Sequence, residues 1–138
     1  MSQDYLVKIK QATGLNAVTL AFALGGSGGC APMWGGQEAI DAASVLNPIK
    51  NFQKAGGTVI VSTGGAMGNV CHLLSNSLPF YLCLSQFHIS GPYLETSCSS
   101  PSALAAAYKK ALQTVGTNHL DIDIGTASSK IIHKHFYI

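Results

Sequence analysis

Two carboxylates, Asp121 and Asp123, stand two apart in the run His119-Leu120-Asp121-Ile122-Asp123-Ile124. Alternation along a β-strand turns both acids to one face and leaves Leu120, Ile122 and Ile124 on the other. Carboxylates on the inside of a parallel sheet are costly unless paired, protonated or functional. The pattern points to acid–base work at a carboxylate cluster, with the alternative that the pair caps loop amides at the strand end. Other chemistry is poorly supplied. The glycine-rich stretches Gly25–Gly36 and Gly64-Gly65 hold no G-x-G-x-x-G, no G-x-x-x-x-G-K-[ST] and no Lys, so no nucleotide cradle is expected. Close backbone approach and tight turning account for these glycines. Cys30, Cys71, Cys83 and Cys98 contain no C-x2-C, which argues against a zinc ribbon or a redox pair. Buried free thiols are expected, with a single disulfide as the alternative. The five His lack acidic or Cys partners at ligand spacing, so neither a metal nor a cofactor is expected.

The elements that would position the acids follow from periodicity. Asp4–Thr13 reads as a helix capped by Asp4 and ended by Gly14. Ala17–Leu24 is an apolar run of strand length, as in a buried parallel sheet. After the glycine-rich loop, Gln37–Val45 and Pro48–Ala55 read as two helices, the second capped by Asn47. Thr58–Ser62 reads as a second buried strand, leading into Gly64-Gly65. Ser100-Pro101 opens a helix in which Leu104, Ala107, Tyr108, Ala111, Leu112 and Val115 recur at helical spacing. Gly116 ends it, and His119–Ile124 is the third strand. Helices alternating with strands imply parallel strands with right-handed crossovers, and a site at the strands' carboxyl ends.

Composition narrows the class. The 138 residues are 47% hydrophobic and only 10% charged, with net charge +2, against about 25% charged in an ordinary domain. One domain fits this length, and a complete (β/α)8 barrel of about 250 residues does not. All eight basic residues are Lys, which disfavours a nucleic-acid partner, since bidentate base and phosphate contacts use Arg. The longest apolar stretch, Ala17–Leu24, is far short of the roughly 20 residues of a membrane span. Met1-Ser2-Gln3-Asp4 shows no secretory signal, and the compartment is left open.

With the strands in place, the third one, Asn118-His119-Leu120-Asp121-Ile122-Asp123-Ile124-Gly125, resembles the D-x-x-D-x-D-x-E strand of glycoside hydrolase family 18, the chitinases and their relatives. Val59-Ile60-Val61-Ser62-Thr63-Gly64-Gly65 resembles that family's preceding S-x-G-G strand. The loop Gly28–Gly36 and the helix Ala103–Leu112 resemble a microbial subgroup. Matching stretches run from Ile9 to Gly68 and from Tyr93 to Ile124. The resemblance implies an α/β fold, a partial (β/α)8 TIM barrel of about three parallel strands with crossover helices. It implies an incomplete catalytic domain over residues 1–138, with an irregular insert at 70–91 and an irregular tail at 125–138.

The chemistry so implied is substrate-assisted, retaining hydrolysis of β-1,4-linked N-acetylglucosamine, an exception to the two-carboxylate scheme. A Glu protonates the glycosidic oxygen while the substrate's acetamido oxygen attacks the anomeric carbon. Asp123 matches the Asp that orients the acetamido group and Asp121 its supporting partner. Ser62, Gly64 and Gly65 match the floor of the site. Trp34 is either a stacking platform for a sugar or an anchor for its own loop. Partners would be chitin or N-acetylglucosamine oligosaccharides, with self-association through exposed sheet edges.

Two departures bear on activity. Gly125 stands where the family has its acid Glu, and Asn118 stands at the first Asp. Glu38 and Glu95, the remaining Glu residues, lie on other segments. Loss of a positioned general acid removes about 10²–10⁴ in rate, so the chain is expected to be inactive as written. The alternative is a non-catalytic protein that binds chitin oligosaccharides. Removing Val70–Gly91 restores the family's spacing. Val codons begin with GT, Ser90-Gly91 can encode AG, and Gly125-Thr126 can be read as the first base of a Glu codon followed by GT. Insert and tail are therefore expected to be translated intron.

Overall fold

A computed structural model describes residues 3–27, 29–65 and 92–124. The insert at 70–91 and the tail at 125–138 lie outside the described residues. In chain order the elements are α1 (Tyr5–Thr13), β1 (Ala17–Gly25), β2 (Pro32–Trp34), β3 (Glu38–Ala39), α2 (Ala43–Lys54), β4 (Thr58–Gly65), α3 (Leu94–Ser97), α4 (Pro101–Val115) and β5 (Leu120–Ile124). The strands form one sheet in the order β3-β2-β1-β4-β5.

The three expected strands are β1, β4 and β5, and they are parallel. The glycine-rich loop departs from expectation. Part of it forms β2, which runs antiparallel to β1 and pairs in turn with β3. Gly35 and Gly36, at φ +59° and +77°, make the turn between these two short strands, a conformation L side chains rarely adopt. The two helices expected over 37–55 are also corrected. Residues 43–54 form a single α2 with Pro48 inside it and Asn47 within the helix rather than capping it. Pro48 removes one backbone donor. Burial of Leu46, Pro48, Ile49 and Phe52 on one face outweighs that local loss, each large apolar side chain contributing about 1.5–3 kcal/mol.

Helix ends follow the sequence more closely. Gly14 and Gly116 adopt the left-handed conformation at the ends of α1 and α4. Ser100 Oγ accepts the Ala103 N–H in front of Pro101. Asp4 does not cap α1 through its side chain; its Oδ1 instead accepts from Asn51 Nδ2 on α2 at 3.0 Å.

The main core lies between the helices and one face of the sheet. Ile49 and Phe52 of α2 and Ala111 and Val115 of α4 cluster with Val59 and Val61 of β4, with Leu20 and Leu120 packed at the margin. The other face carries Thr19 and Ala21, both exposed, together with Ser62, Asp121 and Asp123. The sheet thus separates an apolar, helix-covered side from a polar side.

A disulfide joins Cys30, in the β1–β2 loop, to Cys98, just after α3. The expectation of free thiols is corrected for this pair, whose Cα atoms are 4.6 Å apart, within the range that permits bridging. Closing a span of 68 residues restricts the unfolded chain by about 4 kcal/mol in the loop-entropy treatment.

Candidate functional site

The parallel register of β4 with β5 brings the candidate residues together. Ser62 pairs with Asp121, and Gly64 pairs with Asp123. Alternation puts Ser62 and Asp121 on the polar face, opposite Val61 and Leu120. Ser62, 1% exposed, donates from Oγ to Asp121 Oδ2 at 2.7 Å. This contact ties the Asp121 side chain to β4. Asp123 shares the face one step nearer the strands' carboxyl ends, where Gly64 leaves room beside it. It is exposed.

Gly64 and Gly65 turn the chain at the end of β4 with φ of +96° and +84°. Gly65 also faces an aromatic ring: a Cβ there would lie 2.7 Å from Cε2 of Phe22. Phe22 sits where the β1–β4 register shifts, between Ala21 and Ala23. Its ring, half-buried, borders the Gly64-Gly65 turn. Sequence reasoning missed Phe22, although an aromatic residue at the carboxyl end of a buried strand was the available signal.

Trp34 is placed differently from a sugar platform. It is 8% exposed and belongs to the main core. Its indole N–H donates to the Ile40 carbonyl at 3.0 Å. This bond ties Trp34 to its own loop, and the side chain leaves little surface for a ligand.

Neither Glu lies beside Asp121 and Asp123 on the polar face of the sheet. Glu38 lies on β3 and accepts a hydrogen bond from Ser44 Oγ. Three strands separate β3 from β5 in the sheet, about 19 Å at the usual interstrand spacing. Glu95 lies behind the sheet. Its Oε1 accepts from Thr63 Oγ1 at 3.3 Å and from the Tyr108 hydroxyl, and Thr63 points to the helix side, opposite Ser62. Glu95 Oε2 is buried without a hydrogen-bond partner among the described residues. Burial first, and then the adjoining Glu95 carboxylate, hold the Tyr108 phenol far above the ordinary tyrosine range, with the Thr63 hydroxyl acting weakly the other way. Tyr108 was legible only as an apolar helix position; the need of a buried phenol for a partner was the signal for this cluster. Among the described residues no three His, Cys, Asp or Glu side chains converge as a metal-binding group.

Comparison with known proteins bears on this arrangement. No family model and no curated protein matches the chain. Solved structures do. The catalytic domain of a hyperthermophilic chitinase from Pyrococcus furiosus superposes with a TM-score of 0.62 at 29% identity, over 86% of this chain and 31% of that one. Catalytic-site mutants of active domain 2 of a chitinase from Pyrococcus furiosus give 0.61 and 26%, over 91% of this chain and 35% of that one. The fold is chitinase-like. A further structure of this kind, of mutants of active domain 2 of the thermostable chitinase, is complexed with chito-oligosaccharides, again with a TM-score of 0.62 at 29% identity. The chain spans about a third of the length of these chitinase structures. The chitinase-like sheet has its polar face at β4 and β5, where Ser62, Asp121 and Asp123 meet.

Proposed function

We propose that this chain carries the sugar-orienting part of a family 18 chitinase site and binds β-1,4-linked N-acetylglucosamine oligosaccharides without hydrolysing them. The observation that carries the reading is the Ser62–Asp121 hydrogen bond in the β4–β5 register, with Asp123 one step beyond it on the same face. In this reading Asp121, held by Ser62, supports Asp123, and the Asp123 carboxylate accepts the acetamido N–H of the sugar. The acetamido oxygen is thereby aimed at the anomeric carbon. The glycines at 64 and 65 let the sugar approach the backbone, and the half-buried Phe22 ring offers an apolar edge. Protonation of the leaving oxygen is the missing step, because Gly125 holds the acid's place and both other Glu residues lie elsewhere in the fold. The sheet is taken as a portion of a (β/α)8 barrel, a reading supported by the parallel order β1-β4-β5 with helices on one face.

The test pairs binding with turnover. Chitotriose titrated into the purified protein should bind saturably. Asp123→Asn should weaken binding about tenfold or more, the value of a charged hydrogen bond. Aryl glycosides of chitobiose should release no chromophore. Absence of saturable binding would overturn the reading, and turnover abolished by Asp123→Asn would show that the chain is a working hydrolase instead.

A further inference from the structure

The segment from Pro92 to Cys98 makes an unusual set of attachments for its length. Pro92 accepts the Gly25 N–H at 2.8 Å, at the end of β1. The hydroxyl of Tyr93, a residue 5% exposed, donates to the Gly65 carbonyl at 2.5 Å, at the end of β4. Glu95 accepts from Thr63 of the same strand, and Cys98 is bonded to Cys30 in the loop after β1. Packing there is tight: a Cβ on Gly25 would lie 2.6 Å from Ser97 Oγ. One short stretch therefore ties together the carboxyl ends of two adjacent parallel strands, from the helix side of the sheet.

Such a tie has a physical purpose at this place. Gly64 and Gly65 are consecutive glycines at positive φ, and glycine has the most backbone freedom to lose on ordering. Gly64 is the register partner of Asp123, and Gly65 of Ile124. A carbonyl clamped at Gly65 fixes the turn, and the turn fixes the floor beside Asp123.

We propose that Tyr93 is a positioning residue for the oligosaccharide site, and that the Cys30–Cys98 disulfide holds the segment that presents it. The inference rests on the carbohydrate-binding reading above for its ligand, but the clamp can be tested without one. Tyr93→Phe removes the donor and keeps the ring. One neutral hydrogen bond corresponds to about 2–10-fold in an equilibrium constant. The chitotriose Kd should accordingly rise about fivefold. Amide hydrogen exchange at Gly64 and Gly65 should quicken by a similar factor, about fivefold, while the α2 amides stay unchanged. Reducing the unmutated protein with dithiothreitol, which opens the disulfide to two thiols, should produce the same local pattern and covers the case in which the variant fails to fold. Exchange at Gly64 and Gly65 within twofold of the oxidised parent would overturn the proposal, as would acceleration shared equally by α2. Faster exchange with an unchanged chitotriose Kd would leave Tyr93 a merely structural residue and would overturn it too. If the unmutated protein binds no chitotriose, the carbohydrate-binding reading fails, and the exchange measurement alone still decides the clamp.

Discussion

Gly65→Ala places two separable costs at one position. The first is conformational. At φ +84° an L residue is in the left-handed region, which costs about 1–2 kcal/mol. The second is steric. The new Cβ would lie 2.7, 2.9 and 2.9 Å from Cε2, Cδ2 and Cζ of Phe22, so the ring must move. Phe22 is half-buried rather than enclosed, which puts the repacking at the low end of the overpacking range, about 1–2 kcal/mol. The expected total is about 2–4 kcal/mol. Gly116→Ala supplies the control, because Gly116 sits at φ +76° with nothing within 4 Å of the built Cβ. It should lose only the conformational cost, about 1–2 kcal/mol. Urea unfolding of the oxidised protein measures both, and introducing Gly65→Ala into a Phe22→Ala background should recover the steric part. Equal losses for Gly65→Ala and Gly116→Ala, or no recovery with Phe22→Ala, would refute the claim that Gly65 is glycine because of the ring above it.

Two further outcomes are expected. The Tyr108 phenol keeps its proton in the folded state to well above its ordinary value of 10.0, so between that value and the folded one the unfolded chain loses a proton that the native chain retains. Stability should therefore be fully present below pH 10 and fall above it by up to about 1.4 kcal/mol per pH unit. Tyr108→Phe should flatten that fall in urea midpoints compared at pH 9 and 11, and an identical fall in both proteins would refute the assignment. Transcript reads across Val70–Gly91 and across Ile124 should show GT…AG junctions, with a Glu codon restored after Ile124. Unspliced reads in a stably translated message would move weight to a protein that binds sugar and has lost catalysis by evolution.

Much of this fold could be read from local signals because those signals agree with the packing. Ser100-Pro101 and Gly116 bound α4 through backbone chemistry that depends on few distant residues, and the apolar runs of β1 and β4 are short, bounded by glycine and hold β-branched residues, which favours strand over helix. The failures fall where tertiary contacts outweigh local preference. Pro48 reads as a helix start, yet its side chain belongs to the buried face of α2 with Leu46, Ile49 and Phe52, and burial of that face carries the helix through the proline. The stretch from Pro32 to Trp34 reads as loop among its glycines, and pairing with the end of β1 makes it a strand. Long-range pairing of this kind leaves no trace in a short window.

The two acids show the same division within the site. Alternation alone places Asp121 and Asp123 on one face, and the β4–β5 register adds that Ser62 and Gly64 are their respective neighbours. What alternation could not supply is which face of the sheet each remaining acid occupies. Glu95 follows Thr63 by 32 residues and reaches the sheet from behind, so a Glu is bonded to β4 and still stands on the face opposite Ser62, Asp121 and Asp123. Proximity in the fold is not access. The sheet's backbone separates Glu95 from Asp123, and no rotamer of a Glu on the helix side carries a proton through it. Glu95 therefore stands apart from the polar face that Ser62, Asp121 and Asp123 share.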